Sequence, residues 1–225
     1  MEWSPILISM RTAFTAIIVT FFLGVYAARG VVASRHNKVR AVVDGLLTMP
    51  LVLPPTVAGF FLLYIFGVHR PVGAFFIEYF GWRIAFSWSA TVIAAVVISF
   101  PLMYRSARGA FEQVDENLLH AARTLGMPER KVFWRIRMPM ASPGVVSGGV
   151  LAFARGLGEF GATAMIAGNI AGRTRTLPLA VYSEVAAGDM HAAYRYVAIL
   201  VVICFIVVIG MNLATRKDRR KGKKA

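Results

Sequence analysis

Charged residues are scarce in this sequence, acidic ones especially. Only 16% of the 225 residues are charged, and eleven Asp and Glu stand against 25 Lys and Arg. A soluble domain carries about 25% charged residues and roughly 45–50% apolar ones. Here 57% are hydrophobic and the mean hydropathy is +0.63, an excess that one water-soluble core cannot hold. There is one cysteine, Cys204, which excludes an intrachain disulfide and a thiolate metal centre. Inside its apolar run it reads as a small hydrophobe. His36, His69, His120 and His191 are scattered over different loops, and no paired carboxylates or nucleophile motif accompany them, so metal-assisted or hydrolytic chemistry has no support. A phosphate loop is also missing. The nearest approach, Gly168 to Thr174, lacks the lysine and the first glycine at the required spacing, so ATP-derived energy has to come from a partner.

What is present is apolar sequence in blocks long enough to cross a bilayer. About 20 such residues cover ~30 Å of hydrocarbon at 1.5 Å per residue. Five blocks are found, at about 6–28, 45–66, 84–103, 143–166 and 194–214, and they predict an all-α integral membrane protein. The first is interrupted by Arg11. Glu2 precedes it and Arg29, Arg35, Lys38 and Arg40 follow it, the reverse of a signal peptide's flanks, so it is read as a retained helix. The second carries Pro50, Pro54 and Pro55 and is expected to be irregular or kinked, which a bilayer tolerates only beside protein or a watery path. Residues 67–83 suit an interfacial loop with a short helix. The fourth block is rich in glycine and alanine, as in a helix approached closely by others. Residues 168–193 read as loop.

The net charge of +14 does not indicate nucleic acid, because the basic residues cluster in three short segments between apolar blocks. Four lie after the first block, seven in the segment 105–137 and seven in the tail from Arg216, all on one side of an alternating chain. The opposite loops hold Arg70, Arg83, Arg173 and Arg175. The positive-inside rule then puts the N-terminus outside and the C-terminus in the cytoplasm. The tail, 216–225, is expected at the anionic inner leaflet, worth about 1 kcal/mol per basic residue near the surface.

Within the cytoplasmic loop, 105–142, His120-Ala121-Ala122-Arg123-Thr124-Leu125-Gly126 is followed by Ile136-Arg137-Met138-Pro139. The stretch reads as a helix, a tight turn at Gly126-Met127-Pro128 and a second helix from about Glu129. Ala121 and Ala122 offer a flat surface for another protein. The segment resembles the Glu-Ala-Ala signature of type I ABC importer permeases. His120 stands where the family usually has glutamate, and Met138 where it has leucine. The resemblance implies a transmembrane domain over about 9–213. It also implies an ATPase-coupling loop at His120, Ala121, Ala122, Gly126, Ile136 and Pro139.

The run Ala154-Arg155-Gly156-Leu157-Gly158-Glu159-Phe160-Gly161-Ala162-Thr163 is similar to a segment of molybdate and sulfate permeases. Ala167-Gly168-Asn169-Ile170, Thr176 to Tyr182 and Met49 to Gly59 are closer to the molybdate branch. That resemblance implies a prokaryotic inner-membrane location and a homodimeric pore. It implies two ATP-binding cassette subunits that bind ATP and magnesium, no cofactor in this chain, and an external binding protein that delivers molybdate. Tungstate, sulfate and thiosulfate are alternatives within the class, and an ATP-independent anion carrier or channel is one outside it.

Arg155 and Glu159 are four residues apart and share a helix face. They form either a structural ion pair or part of the anion path, since ionisable groups in a crossing helix face an interior or a cavity. Thr56, Ser147 and Thr163 are candidate hydroxyl donors along that path. Arg173 and Arg175 face outside, as attractors of an anion or a binding protein or simply as solvated surface.

Overall fold

The computed structural model describes residues 2–34 and 36–222, with 211–222 as backbone. Of the basic residues counted above, Arg35, Lys223 and Lys224 lie outside the described residues, and the side chains of the tail from Arg216 are likewise not described.

The chain is helical throughout its ordered elements. These are α1 (Ser4–Ala33), α2 (Asn37–Val52), α3 (Pro55–Phe66), α4 (Pro71–Phe80), α5 (Trp88–Glu112), α6 (Glu116–Thr124), α7 (Glu129–Val132), α8 (Met138–Leu157), α9 (Gly161–Ile166), α10 (Leu177–Ala186) and α11 (Met190–Gly222), with a π-turn at Phe133–Arg137 between α7 and α8. Among the described residues α1, α5 and Met190–Gly210 of α11 are long and apolar enough to cross a membrane. The pair α2–α3 counts as a fourth span if taken together. By length and composition the described residues thus give three spans, or four with the bent pair, where the apolar blocks suggest about five. Pro54 and Pro55 supply no N–H to continue α2, and the two helices meet at a bend of 109°. The block expected at 143–166 begins earlier, at Met138, and breaks at Gly158–Phe160. Its glycines, prolines and Arg155 dilute its apolar character.

At the centre stands α5, with 56% of its apolar window buried, against 28% for α1 and 11% for α11. It runs parallel to α1: the Thr12 and Thr91 hydroxyls meet at 2.8 Å and those of Thr20 and Ser99 at 3.2 Å, the same 79-residue offset in both. A small-residue stripe on α1 (Ala13, Ala16, Gly24, Ala28) permits this approach, since close backbone packing replaces the hydrophobic effect between helices in lipid. Arg11 is accommodated by its guanidinium, 4.0 Å over the Trp88 ring. α8 returns antiparallel to α5, with Gly148 against Ser106 and Gly156 against Ala95 and Ser99. α11 starts beside the start of α1, where Tyr196 Oη donates to the Glu2 carbonyl at 3.2 Å. Three long helices thus begin at one end of the bundle.

The helical ends depart from the apolar blocks wherever a charge finds a partner. α5 continues past Met103 because Arg108 pairs with Asp44 and, at 2.8 Å, with Glu112. α2 starts at Asn37, ahead of the apolar run, with Arg40 paired to Glu112 and Asp44 accepting from Tyr104 Oη at 2.8 Å. The stretch 168–193 is not all loop. It contains α10, whose Leu177 and Ala180 are buried with Tyr196 of α11. Thr176 precedes it and Pro178 sits in its first turn, the ordinary start of a helix.

Candidate functional site

Two regions hold the residues singled out from the sequence, one at each end of α8. The first is the loop between α5 and α8. Asp115 starts α6 by accepting from the Asn117 N–H at 2.9 Å. α6 ends in a left-handed turn at Gly126, φ +77°, where Gly126 N–H donates to the Arg123 carbonyl and Met127 N–H to that of Ala122. These two bonds make a Schellman motif, the reason glycine suits this position. Arg123 reaches across the turn to Glu129, 2.6 Å away, and ties α6 to α7. That bond also raises the Arg123 guanidinium above its usual pKa.

His120 is exposed, with Nε2 4.0 Å from Glu116, and Ala121 is exposed beside it. Ala122 is not part of that outer surface. It is 4% exposed and packs inward with Leu119 and Phe133. The apolar outer face is instead made by Leu118, Ala121 and Leu125, the last 83% exposed. Leu119 and Ala122, three apart, share the inner side, and Ala121 and Leu125, four apart, share the outer one, with Leu118 between them and 45% exposed. Ile136 packs partly into the core. Pro139 is exposed just past the π-turn, in which Met138 N–H reaches back to the Phe133 carbonyl. The wider turn leads the chain into a helix whose first turn carries a proline.

The second region is the junction of α3, α8 and α9. Glu159, 2% exposed, lies in the break after α8. Its Oε2 accepts from Arg155 Nη1 at 2.7 Å and its Oε1 from the Ala162 N–H at 2.8 Å. The carboxylate therefore joins the last turn of α8 to the first turn of α9. α9 lies tightly on α3: a Cβ on Gly59 would come within 2.6 Å of Ala162 Cα, and one on Gly161 within 3.2 Å of Thr56 N. Thr56 is thereby brought to the junction and is exposed, whereas Thr163 is buried. Arg155 keeps 32% of its side chain exposed. Ser147, half-buried, is eight residues back along α8, about 12 Å away, and does not join them. Arg175 is drawn back onto Asn169 Oδ1 at 3.0 Å.

A family model described as the binding-protein-dependent transport system inner membrane component matches residues 5–221. The chain belongs to this family. It is a multi-pass membrane protein of the inner membrane, and family membership implies ATPase and substrate-binding partners. This inner membrane component is 39% identical to the molybdenum transport system permease protein ModB of Escherichia coli K12, over 99% of this chain and 97% of that one. It is 41% identical to a putative molybdenum transport system permease protein, YvgM, of Bacillus subtilis, over 92% and 90% of the two chains. With ModB of Mycobacterium tuberculosis it shares 42% identity over 94% of this chain and 79% of the other. In fold it matches a chain of the inward-facing MetNI methionine ABC transporter, with a TM-score of 0.75, 15% identity, and 95% and 94% of the two chains covered. The inner membrane component thus has the transmembrane fold of type I ABC importers.

Proposed function

We propose that the chain is the permease subunit of an ATP-driven importer and that its cargo is molybdate, carried inward by alternating access. The observation that carries this reading is identity of 39–42% to molybdenum transport permeases over nearly the whole chain. Two copies form the pore, two ATP-binding cassette subunits bind ATP and magnesium, and an external protein delivers the anion. The chain itself needs no cofactor. Its N-terminus lies outside and its C-terminus in the cytoplasm, as the basic residues at the α5–α8 end support.

In this reading the exposed stripe Leu118, Ala121 and Leu125, with His120 at its edge, docks against the ATPase. The Schellman turn at Gly126 and the Arg123–Glu129 bridge keep the hairpin stiff, so motion of the ATPase reaches α8 through the π-turn before Pro139. At the other end of α8, Thr56 and Arg155 reach a surface of the junction and are the path candidates best placed to meet an anion. Glu159 holds that junction together, and buried Thr163 supports it.

Uptake of labelled molybdate by proteoliposomes containing this chain, its ATPase and its binding protein tests the proposal. ATP-dependent uptake that excess sulfate barely inhibits is the expected result. Tungstate, sulfate or thiosulfate taken up in its place would reassign the cargo, and flux without ATP would overturn the mechanism.

A further inference from the structure

Beside the coupling hairpin, where α1 ends, a cleft of about 590 Å³ opens between α1, α6, α7 and the π-turn. Val32, Ala33, Val132 and Phe133 give it an apolar lining, and its polar lining is three guanidiniums, those of Arg29, Arg123 and Arg137, with His120 and the carboxylates of Glu116 and Glu129. Two of them are already engaged, Arg123 by Glu129 at 2.6 Å and Arg137 by Glu116 at 3.1 Å. Arg29 is different. It lies 4.7 Å over the Phe133 ring, and among the described residues no carboxylate forms an ion pair with it.

Position says what would complete the Arg29 donors. Next to the cleft Tyr26 and Trp134 meet edge to face, ring centres 6.2 Å apart, and both are exposed. Exposed Trp and Tyr on a spanning bundle mark the level of lipid head groups. Basic pockets between spanning helices at that level suit anionic head groups, and acyl chains can follow an apolar lining outward. We propose that this cleft binds the phosphate of an anionic phospholipid, held by the Arg29 guanidinium in charge-assisted hydrogen bonds. The lipid would then touch α1 and the coupling hairpin together. This rests on the chain being a membrane subunit but not on its cargo.

The test is native mass spectrometry of the assembled importer in detergent, equilibrated with equal amounts of phosphatidylglycerol and phosphatidylcholine. Wild-type complex should retain phosphatidylglycerol in preference. Arg29→Gln should cut the preference about five-fold, the share expected of one basic residue at the surface, while Arg29→Lys should keep most of it. Inorganic phosphate in excess should leave the lipid bound. Equal retention of the two lipids by wild type, or an unchanged preference in Arg29→Gln, would overturn the proposal. Displacement by phosphate would overturn it too, by making the cleft a site for the free anion. Lipid retention is read without transport, so a failed molybdate assay leaves this result standing on its own.

Discussion

Removing the Arg155 side chain should loosen the junction of α8 and α9 and lower the stability of the protein measurably. Glu159 is 2% exposed and divides its two oxygens between Arg155 and the Ala162 N–H. Arg155→Ala leaves a buried carboxylate with one partner. Breaking a buried pair in this way costs about 3–5 kcal/mol. The low end applies, because a third of the Arg155 side chain meets solvent and solvent screens such pairs. For a chain of this length 1 kcal/mol moves the melting temperature by roughly 2–4 °C, so a drop of about 6–12 °C is expected. The assay is thermal unfolding of the purified complex, followed by tryptophan fluorescence. The double variant Arg155→Ala/Glu159→Gln should recover at least half of the loss, since no unpaired charge stays buried. A melting temperature for Arg155→Ala within about 2 °C of wild type would refute the structural pair. Arg155→Lys separates the two readings of the residue: retained melting with lost anion uptake would assign it to the path.

Gly126→Val forces a β-branched residue into φ +77° and should cost about 1–2 kcal/mol locally. It should lower transport-coupled ATPase activity while membrane insertion and basal hydrolysis persist; normal transport would refute the role of the turn. Gly59→Ala should destabilise by about 1–3 kcal/mol, read as a lower melting temperature. In an open helix the same change stabilises by about 1 kcal/mol, but here the new Cβ meets Ala162 at 2.6 Å. Leu125→Asp changes a side chain that is 83% exposed, so melting should stay within about 2 °C. Co-purification of the ATPase should fall at least ten-fold, a loss of about 1.4 kcal/mol, and unchanged co-purification would remove Leu125 from the docking face.

The spanning elements were legible because hydrophobicity is a local property of the chain. What it hides is where an element stops. Arg40, Asp44, Arg108 and Glu112 look like loop residues one at a time, yet they lie inside helices because they pair with each other between α2 and α5. The break after Leu157 was hidden for the opposite reason. Gly158-Glu159-Phe160 sits in an apolar stretch, and the hydrogen bond that the Ala162 N–H donates to Glu159 Oε1 marks the start of a second helix there. α10 lies in a stretch of mixed composition that reads as loop, although Thr176 and Pro178 announce a helix start. At the hairpin the pattern of residues pointed to the right turn. It did not separate Ala121 from Ala122, which a helix places on different faces.

One twenty-residue helix, α8, touches both of the regions described here. At about 1.5 Å per residue it is roughly 30 Å long, and it is one continuous helix with Pro143 inside it. Its proximal end is joined to the hairpin by a π-turn, while its distal end is clamped to α9 by Glu159. Moved as one unit, such a helix would act as a lever. A tilt of about 5° at the hairpin sweeps the far end through roughly 3 Å, enough to separate two groups in hydrogen-bond contact, with no side chain along its length needing to change its own conformation.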